Sequence, residues 1–202
     1  MLITQQAGTV AIESTLPTWE SIFKSQVDPN KKTISDDFKI NLGGLNGRVT
    51  SGKTWSTLGA AGAYLTVYNG YVAQNTAGNS RALLPHAKSG KVCQLVDWNE
   101  GYVGLLIRAA DATNYHQIVL NSTGLLYTKV VAGVSTTLAS KGIIMTAGKT
   151  YAIGVEWTET NIKIYIDDVL AADVNDTDLA ASINIGVVVS GVTNKIFEIA
   201  AR

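Results

Sequence analysis

Ala63-Tyr64-Leu65-Thr66-Val67-Tyr68, then Asn69-Gly70, then Tyr71-Val72-Ala73, is the stretch on which the reading of this chain turns. Two β-prone runs separated by Asn-Gly predict a hairpin, because a type I′ turn asks for positive φ at both central residues. Outward from it, strand patterns are predicted over 34–40, 63–68, 71–75, 80–87, 91–98, 102–109 and 114–121. They continue over 124–131, 134–140, 150–158, 162–167, 169–174, 183–190 and 194–201. The connectors are turn-like: Ser89-Gly90, Asn99-Glu100-Gly101, Ser122-Thr123-Gly124, Ala132-Gly133, Ala147-Gly148, Thr160-Asn161 and Asp167-Asp168. Short strands at such spacing predict an all-β, two-sheet antiparallel sandwich over residues 33–202. Ile162, Ile164 and Ile166 alternate with Lys163, Tyr165 and Asp167, so one face is apolar and one wet; Ile153, Val155 and Trp157 share a face likewise. No fixed-period repeat points to a solenoid or propeller.

Residues 1–32 read differently. Thr15 can cap a short helix, Pro17 falls in its first turn, and Trp19, Ile22, Phe23 and Val27 form an apolar stripe at helical spacing. Asp28-Pro29-Asn30 ends it. A helix of about ten residues is marginal alone in water. The stripe is therefore expected to dock, on its own sandwich or on a neighbouring subunit, making residues 1–32 an N-terminal assembly arm.

Composition narrows the function. The 202 residues carry 16 Lys+Arg against 16 Asp+Glu, and charged residues make up only 16%. No basic stripe calls for nucleic acid. With so few charges, the surface is built from small polar residues or is covered by partners. The single cysteine, Cys93, excludes an intramolecular disulfide and reads as a small buried hydrophobe. Met1-Leu2-Ile3-Thr4-Gln5-Gln6 lacks the basic and apolar regions of a signal peptide. No run approaches the roughly 18 apolar residues of a membrane span. Synthesis in a reducing cytoplasm, with neither membrane nor nucleic acid as partner, is expected.

Several motifs invite chemistry. Gly47-Arg48-Val49-Thr50-Ser51-Gly52-Lys53-Thr54 matches a phosphate-binding loop letter for letter. Such a loop works between a buried strand and a helix; here glycine-rich Asn41–Asn46 precedes it and Trp55–Gly62, with two glycines, follows. The match is read as accidental. Glu156 and Glu159 are three apart, which a strand sends to opposite faces, so no glycosidase pair is expected. The two histidines, His86 and His116, have no metal-type spacing around them, and no metal or other cofactor is expected. If the module binds sugar, the contacts expected are Trp98 and Tyr102 at a predicted turn, with Tyr115 and His116 at the start of a strand; otherwise Trp98 and Tyr115 serve as core or rim packing and His116 as a structural or surface histidine.

The middle of the chain resembles a known family. Gly104-Leu105-Leu106-Ile107-Arg108, Asp111, Asn114-Tyr115, the strand Leu125–Val130, Gly148-Lys149-Thr150-Tyr151 and Ile162–Asp168 follow the pattern of concanavalin A-like, laminin-G-like jelly rolls. Asp36-Asp37-Phe38 and Gly47-Arg48, Gly52 and Trp55 resemble that family's opening, and the likeness covers about 34–202. Asp168 stands where the family has a turn glycine, and Phe197-Glu198-Ile199 where an aspartate is usual. The resemblance therefore carries over no calcium or sugar site. Modules of this variant are similar to those on bacteriophage heads and tails. The resemblance thus implies a non-enzymatic virion structural protein, a head decoration or tail-fibre component assembled in the host cytoplasm. Other virion subunits, homo-oligomerisation and cell-surface glycans are its expected partners. The alternative is a stand-alone carbohydrate-binding, lectin-like protein.

Overall fold

Alternating apolar and polar residues place every second side chain on one face of an extended chain, and a face so marked must find cover. In the computed structural model, which describes residues 34–39, 43–58, 65–76 and 78–202, that logic yields eighteen strands and, among those residues, no helix. In chain order they are β1 (Ile34–Asp36), β2 (Gly43–Gly44), β3 (Val49–Thr50), β4 (Lys53–Thr54), β5 (Ser56–Thr57) and β6 (Leu65–Tyr68). Next come β7 (Tyr71–Gln74), β8 (Ser80–Pro85), β9 (Gly90–Trp98), β10 (Tyr102–Asp111), β11 (Asn114–Asn121) and β12 (Gly124–Val131). The last are β13 (Val134–Gly142), β14 (Lys149–Trp157), β15 (Asn161–Ile166), β16 (Val169–Asn175), β17 (Asn184–Ser190) and β18 (Lys195–Ala201). The predicted helix bearing Trp19, Ile22, Phe23 and Val27 lies outside the described residues.

All pairings are antiparallel. A nine-stranded sheet runs β16-β15-β14-β9-β18-β7-β6-β2, with β1 also on β18; a seven-stranded sheet runs β13-β12-β11-β10-β17-β8-β5. Ile153, Val155 and Trp157 of β14 and Ile162, Ile164 and Ile166 of β15 turn inward from the first sheet. They meet Leu105, Ile107, Ile118 and Val187 of the second in one continuous buried cluster. The expected alternation on β14 and β15 is thus realised as core.

Two turns depart from expectation. Tyr68 and Tyr71 close the predicted hairpin, but only Gly70, at φ 89°, is left-handed; Asn69 is not, so the turn is not type I′. The apparent phosphate loop is a hairpin as well. Val49–Thr50 pairs with Lys53–Thr54 across Ser51-Gly52, both left-handed, as the primed turn requires. Strand β4 follows Gly52 directly, so the hairpin's N–H groups are not gathered at a helix start. Instead Arg48 forks onto Asp36 with two 2.7 Å bonds, Thr50 donates to the same carboxylate, and Trp55 Nε1 donates to Thr50 Oγ1 at 2.9 Å. This buried network ties the hairpin to β1.

A second polar network closes the far end of β10. Arg108 sits at a ladder irregularity with φ 47°, and its fully buried guanidinium donates to the carbonyls of Asp176 (2.9 Å), Asp178 (3.1 Å) and Thr158 (2.5 Å). Lys129 donates to the Asp176 and Asp178 carboxylates, each at 2.5 Å. The connection between β16 and β17 is thereby pinned over the gap between the sheets.

Candidate functional site

The opposite end of the sandwich carries the depression. Tyr68 ends β6, Tyr71 begins β7, Asp97 lies near the end of β9, and Lys195 begins β18. The order β9-β18-β7-β6 places these termini together. Because Val72, Val96 and Ile196 point into the core, their neighbours Tyr71, Asp97 and Lys195 point out. They line a depression of about 650 Å³ with Tyr68, Asn99 and Thr193.

Its floor is aromatic. The Tyr68 and Tyr71 rings stack with centroids 5.0 Å apart and planes inclined by 21°. Phe197 meets Tyr71 edge-on at 6.3 Å, and Lys195 Nζ lies 5.1 Å from the Tyr71 centroid. Tyr68 is 37% exposed, so its ring is open to solvent. Polar groups form the wall. Asp97 Oδ1 accepts the Thr150 hydroxyl at 2.6 Å, and Asn99 Nδ2 donates to the Thr193 carbonyl at 2.9 Å. A ring platform beside a cation, a carboxylate and an amide can cover the apolar face of a pyranose while bonding its hydroxyls.

Asn194 holds the wall in place. Its side chain is fully buried and donates to the carbonyls of Glu100 (2.6 Å), Ser190 (2.9 Å) and Tyr102 (3.2 Å). Its Oδ1 accepts the N–H of Asn99 at 2.7 Å and of Glu100 at 3.1 Å. Glu100 in turn accepts from the Thr193 hydroxyl at 2.9 Å and the Thr193 N–H at 3.1 Å, and the hydroxyl contact holds its carboxyl below the usual range. Gly191 lets the two loops close: at φ 113°, a Cβ there would stand 2.5 Å from Glu100 Cγ. Sequence reasoning missed Asn194, although an Asn between two β-prone runs is a turn signal.

The expected contacts are placed otherwise. Trp98 is in the core, its Nε1 donating to the Gly101 carbonyl at 3.2 Å, while its neighbours Asp97 and Asn99 reach the depression. His116 is completely buried, with Nδ1 2.8 Å from the Tyr127 hydroxyl and Nε2 3.2 Å from the Asp178 carbonyl. Burial pushes its pKa down to about 4. Tyr115 and Tyr102 do share a cluster, with Leu83, Leu106, Val119 and Val188 on the seven-stranded sheet. Tyr115 is nevertheless buried there, with Arg81 4.7 Å from its ring centroid, and Tyr102 is half-buried. Strand alternation and loop packing, not turn position, decide which rings face out; of the four, none lines the depression. His86 packs edge-on against Trp157 at 5.6 Å. Among the described residues, no three His, Cys, Asp or Glu side chains gather as a metal site would require.

No protein-family model matches the chain, and no curated protein matches it significantly. Solved structures do share its fold. A carbohydrate-binding module, CBM66 from Bacillus subtilis, superposes with a TM-score of 0.59 at 18% identity, covering 75% of this chain and 92% of the module. SCLam, a non-specific endo-β-1,3(4)-glucanase of family GH16, gives 0.59 at 11% identity over 85% of this chain and 90% of its own. The Caenorhabditis elegans galectin LEC-6 gives 0.50 at 11%, over 64% and 93%. The fold is therefore that of the concanavalin A- and galectin-like jelly rolls. The expectation of a non-enzymatic protein is corrected by these findings: the fold is shared with a GH16 glucanase as well as with a binding module, so it does not set the chain apart from enzymes. None of the structures named here is a virion protein.

Proposed function

We propose that this chain is a carbohydrate-binding, lectin-like module whose sugar rests on the Tyr68/Tyr71 platform. The observation that carries the reading is that stacked pair, opening onto a depression walled by Asp97, Asn99 and Lys195. The fold shared with a carbohydrate-binding module and a galectin supports it. Display on a virion rests on the sequence resemblance, and an attachment arm over residues 1–32 on the apolar stripe of Trp19, Ile22, Phe23 and Val27; neither is needed for this reading.

An open site of this size with one aromatic platform binds weakly, near millimolar, so useful adhesion calls for many copies. A glycan array probed with multimerised protein is the test. Signal that Tyr71→Ala removes, with the fold intact, supports the site. Silence across the array, or signal indifferent to Tyr71→Ala, overturns it. Release of reducing ends from a bound glycan would identify turnover at the same surface.

A further inference from the structure

Two opposite charges share the wall of the depression without neutralising one another. Lys195 and Asp97 are Cα partners in one ladder, and both side chains line the depression. No ion pair joins them, because the ammonium lies over the Tyr71 ring and Asp97 Oδ1 accepts the Thr150 hydroxyl. An ion pair is counted to about 4 Å, so the two charged ends stand farther apart than that. Among the described residues, Asp97 Oδ2 has no hydrogen-bond partner and Lys195 Nζ meets no carboxylate. Other charges close by are committed elsewhere. Glu100 accepts the Thr193 hydroxyl, and Lys149 lies 3.5 Å from Asp167 and over the Tyr151 ring.

Such a gap suits a bridge that accepts at one end and donates at the other. An ammonium only donates and a carboxylate only accepts, whereas a hydroxyl does both. Two hydroxyls on adjacent ring carbons can close the gap, the first accepting from Lys195 and the second donating to Asp97 Oδ2, each at about 2.8 Å. A charged sugar fits less well. The carboxylate of a uronate drawn to Lys195 is brought beside Asp97, and like charges so close repel. The ammonium of an unacetylated amino sugar drawn to Asp97 is brought beside Lys195 in the same way. Each charge of the wall thus excludes one class of sugar, and both serve the third.

We propose that the depression selects neutral sugar residues with free hydroxyls on adjacent ring carbons, which bridge Lys195 and Asp97 while the ring rests on the Tyr68/Tyr71 platform. The proposal rests on the carbohydrate reading of the same depression and adds its specificity. The stacked tyrosines give contact area to any pyranose. Lys195 and Asp97 decide which one stays.

NMR titration of the full chain with the methyl glycosides of glucose, galactose and mannose, and with the uronate, 2-amino and 3-deoxy counterpart of each, tests this. The Asp97, Asn99 and Lys195 amides are expected to shift with a neutral glycoside near millimolar. Its charged counterparts should bind at least about tenfold more weakly. The 3-deoxy sugar, in which no two of the hydroxyls on carbons 2 to 4 are adjacent, should bind about tenfold more weakly too. Asp97→Asn keeps an acceptor for Thr150 and removes the repulsion, so the uronate-to-neutral affinity ratio should rise about tenfold. Lys195→Met should do the same for the amino sugar. A uronate or amino sugar that binds the wild type as well as the neutral glycoside overturns the selection, as do ratios that neither substitution moves. If Tyr71→Ala still removes the binding in those cases, the carbohydrate reading stands and only the selection falls. Silence with every glycoside also overturns the selection, and a Tyr71-dependent signal on the glycan array then keeps the carbohydrate reading apart from that failure. Shifts indifferent to Tyr71→Ala overturn both.

Discussion

Lys195 stands directly opposite Asp97 in the ladder between β18 and β9, yet its ammonium lies over the Tyr71 ring, 5.1 Å from the centroid. Cross-strand neighbours of opposite charge usually attract one another. Here Asp97 takes the Thr150 hydroxyl and Lys195 takes a ring face. A donor and an acceptor thus remain side by side at the wall of the depression.

Asp97→Asn and Lys195→Met are each expected to weaken glycan binding by about 1.5 kcal/mol, the worth of one hydrogen bond to a charged group, or roughly tenfold. Both positions are outward, so thermal unfolding should hardly move. Titration of each variant with a glycan found on the array checks this.

Asn194→Ala should cost stability far from any apolar core. It leaves buried carbonyls and two N–H groups at the loop junction without their partner, and the expected loss is about 3 kcal/mol. For a chain of this size that lowers the unfolding midpoint by roughly 10 °C. Calorimetry reads it, and glycan binding should fall with it because Asn99 and Thr193 lose their anchor.

Stability should decline in mild acid through His116. Its folded pKa, about 4, lies below the ordinary 6.5, chiefly because burial disfavours the imidazolium. The unfolded chain thus binds the proton more readily, so this contribution is complete above about pH 6.5 and is lost as pH falls toward 4. Asp176, which faces the ring, acts in the same direction lower down: burial alone would raise its carboxyl, but the Lys129 and Asp178 hydrogen bonds hold it below its usual range. Denaturant unfolding at about pH 7 and pH 4.5 should differ by an amount on the order of 2 kcal/mol in the wild type. The difference should shrink in His116→Gln. An unchanged difference in that variant would assign the acid sensitivity elsewhere.

Lys53→Ala should leave stability within about 0.5 kcal/mol of wild type. ATP or GTP should not raise the melting temperature of either protein, because Lys53 belongs to a hairpin and not to a helix start. A nucleotide-dependent shift abolished by Lys53→Ala would reverse the reading of that motif.

The long strands were legible because alternation is local: from β6 to β18, each lies on a run predicted from the sequence. The two-residue strands β2 to β5 were not, since a pairing so short has no period, and the false phosphate loop covers β3 and β4. The site was the harder part. Tyr68 and Tyr71 were in plain view as hairpin residues, but their companions Asp97 and Lys195 reach them only through the sheet order β9-β18-β7-β6. That order is a property of the whole chain. Trp98, Tyr115 and His116 lie near turns, where a ring can serve as a sugar contact or as core packing, and the packing of two faces turned them inward.

Ile34 pairs with Ala201, so the first and last of the described strands are neighbours. Neighbouring Cα atoms in such a pair stand about 5 Å apart, a gap that a linker of a few glycines and serines spans without strain. A circular permutant joined there and reopened at the exposed Ser122-Thr123 turn should fold to the same sandwich. For the same reason, the unit could be seated inside a surface loop of a host protein, entering and leaving through one narrow doorway and leaving the frame around it undisturbed.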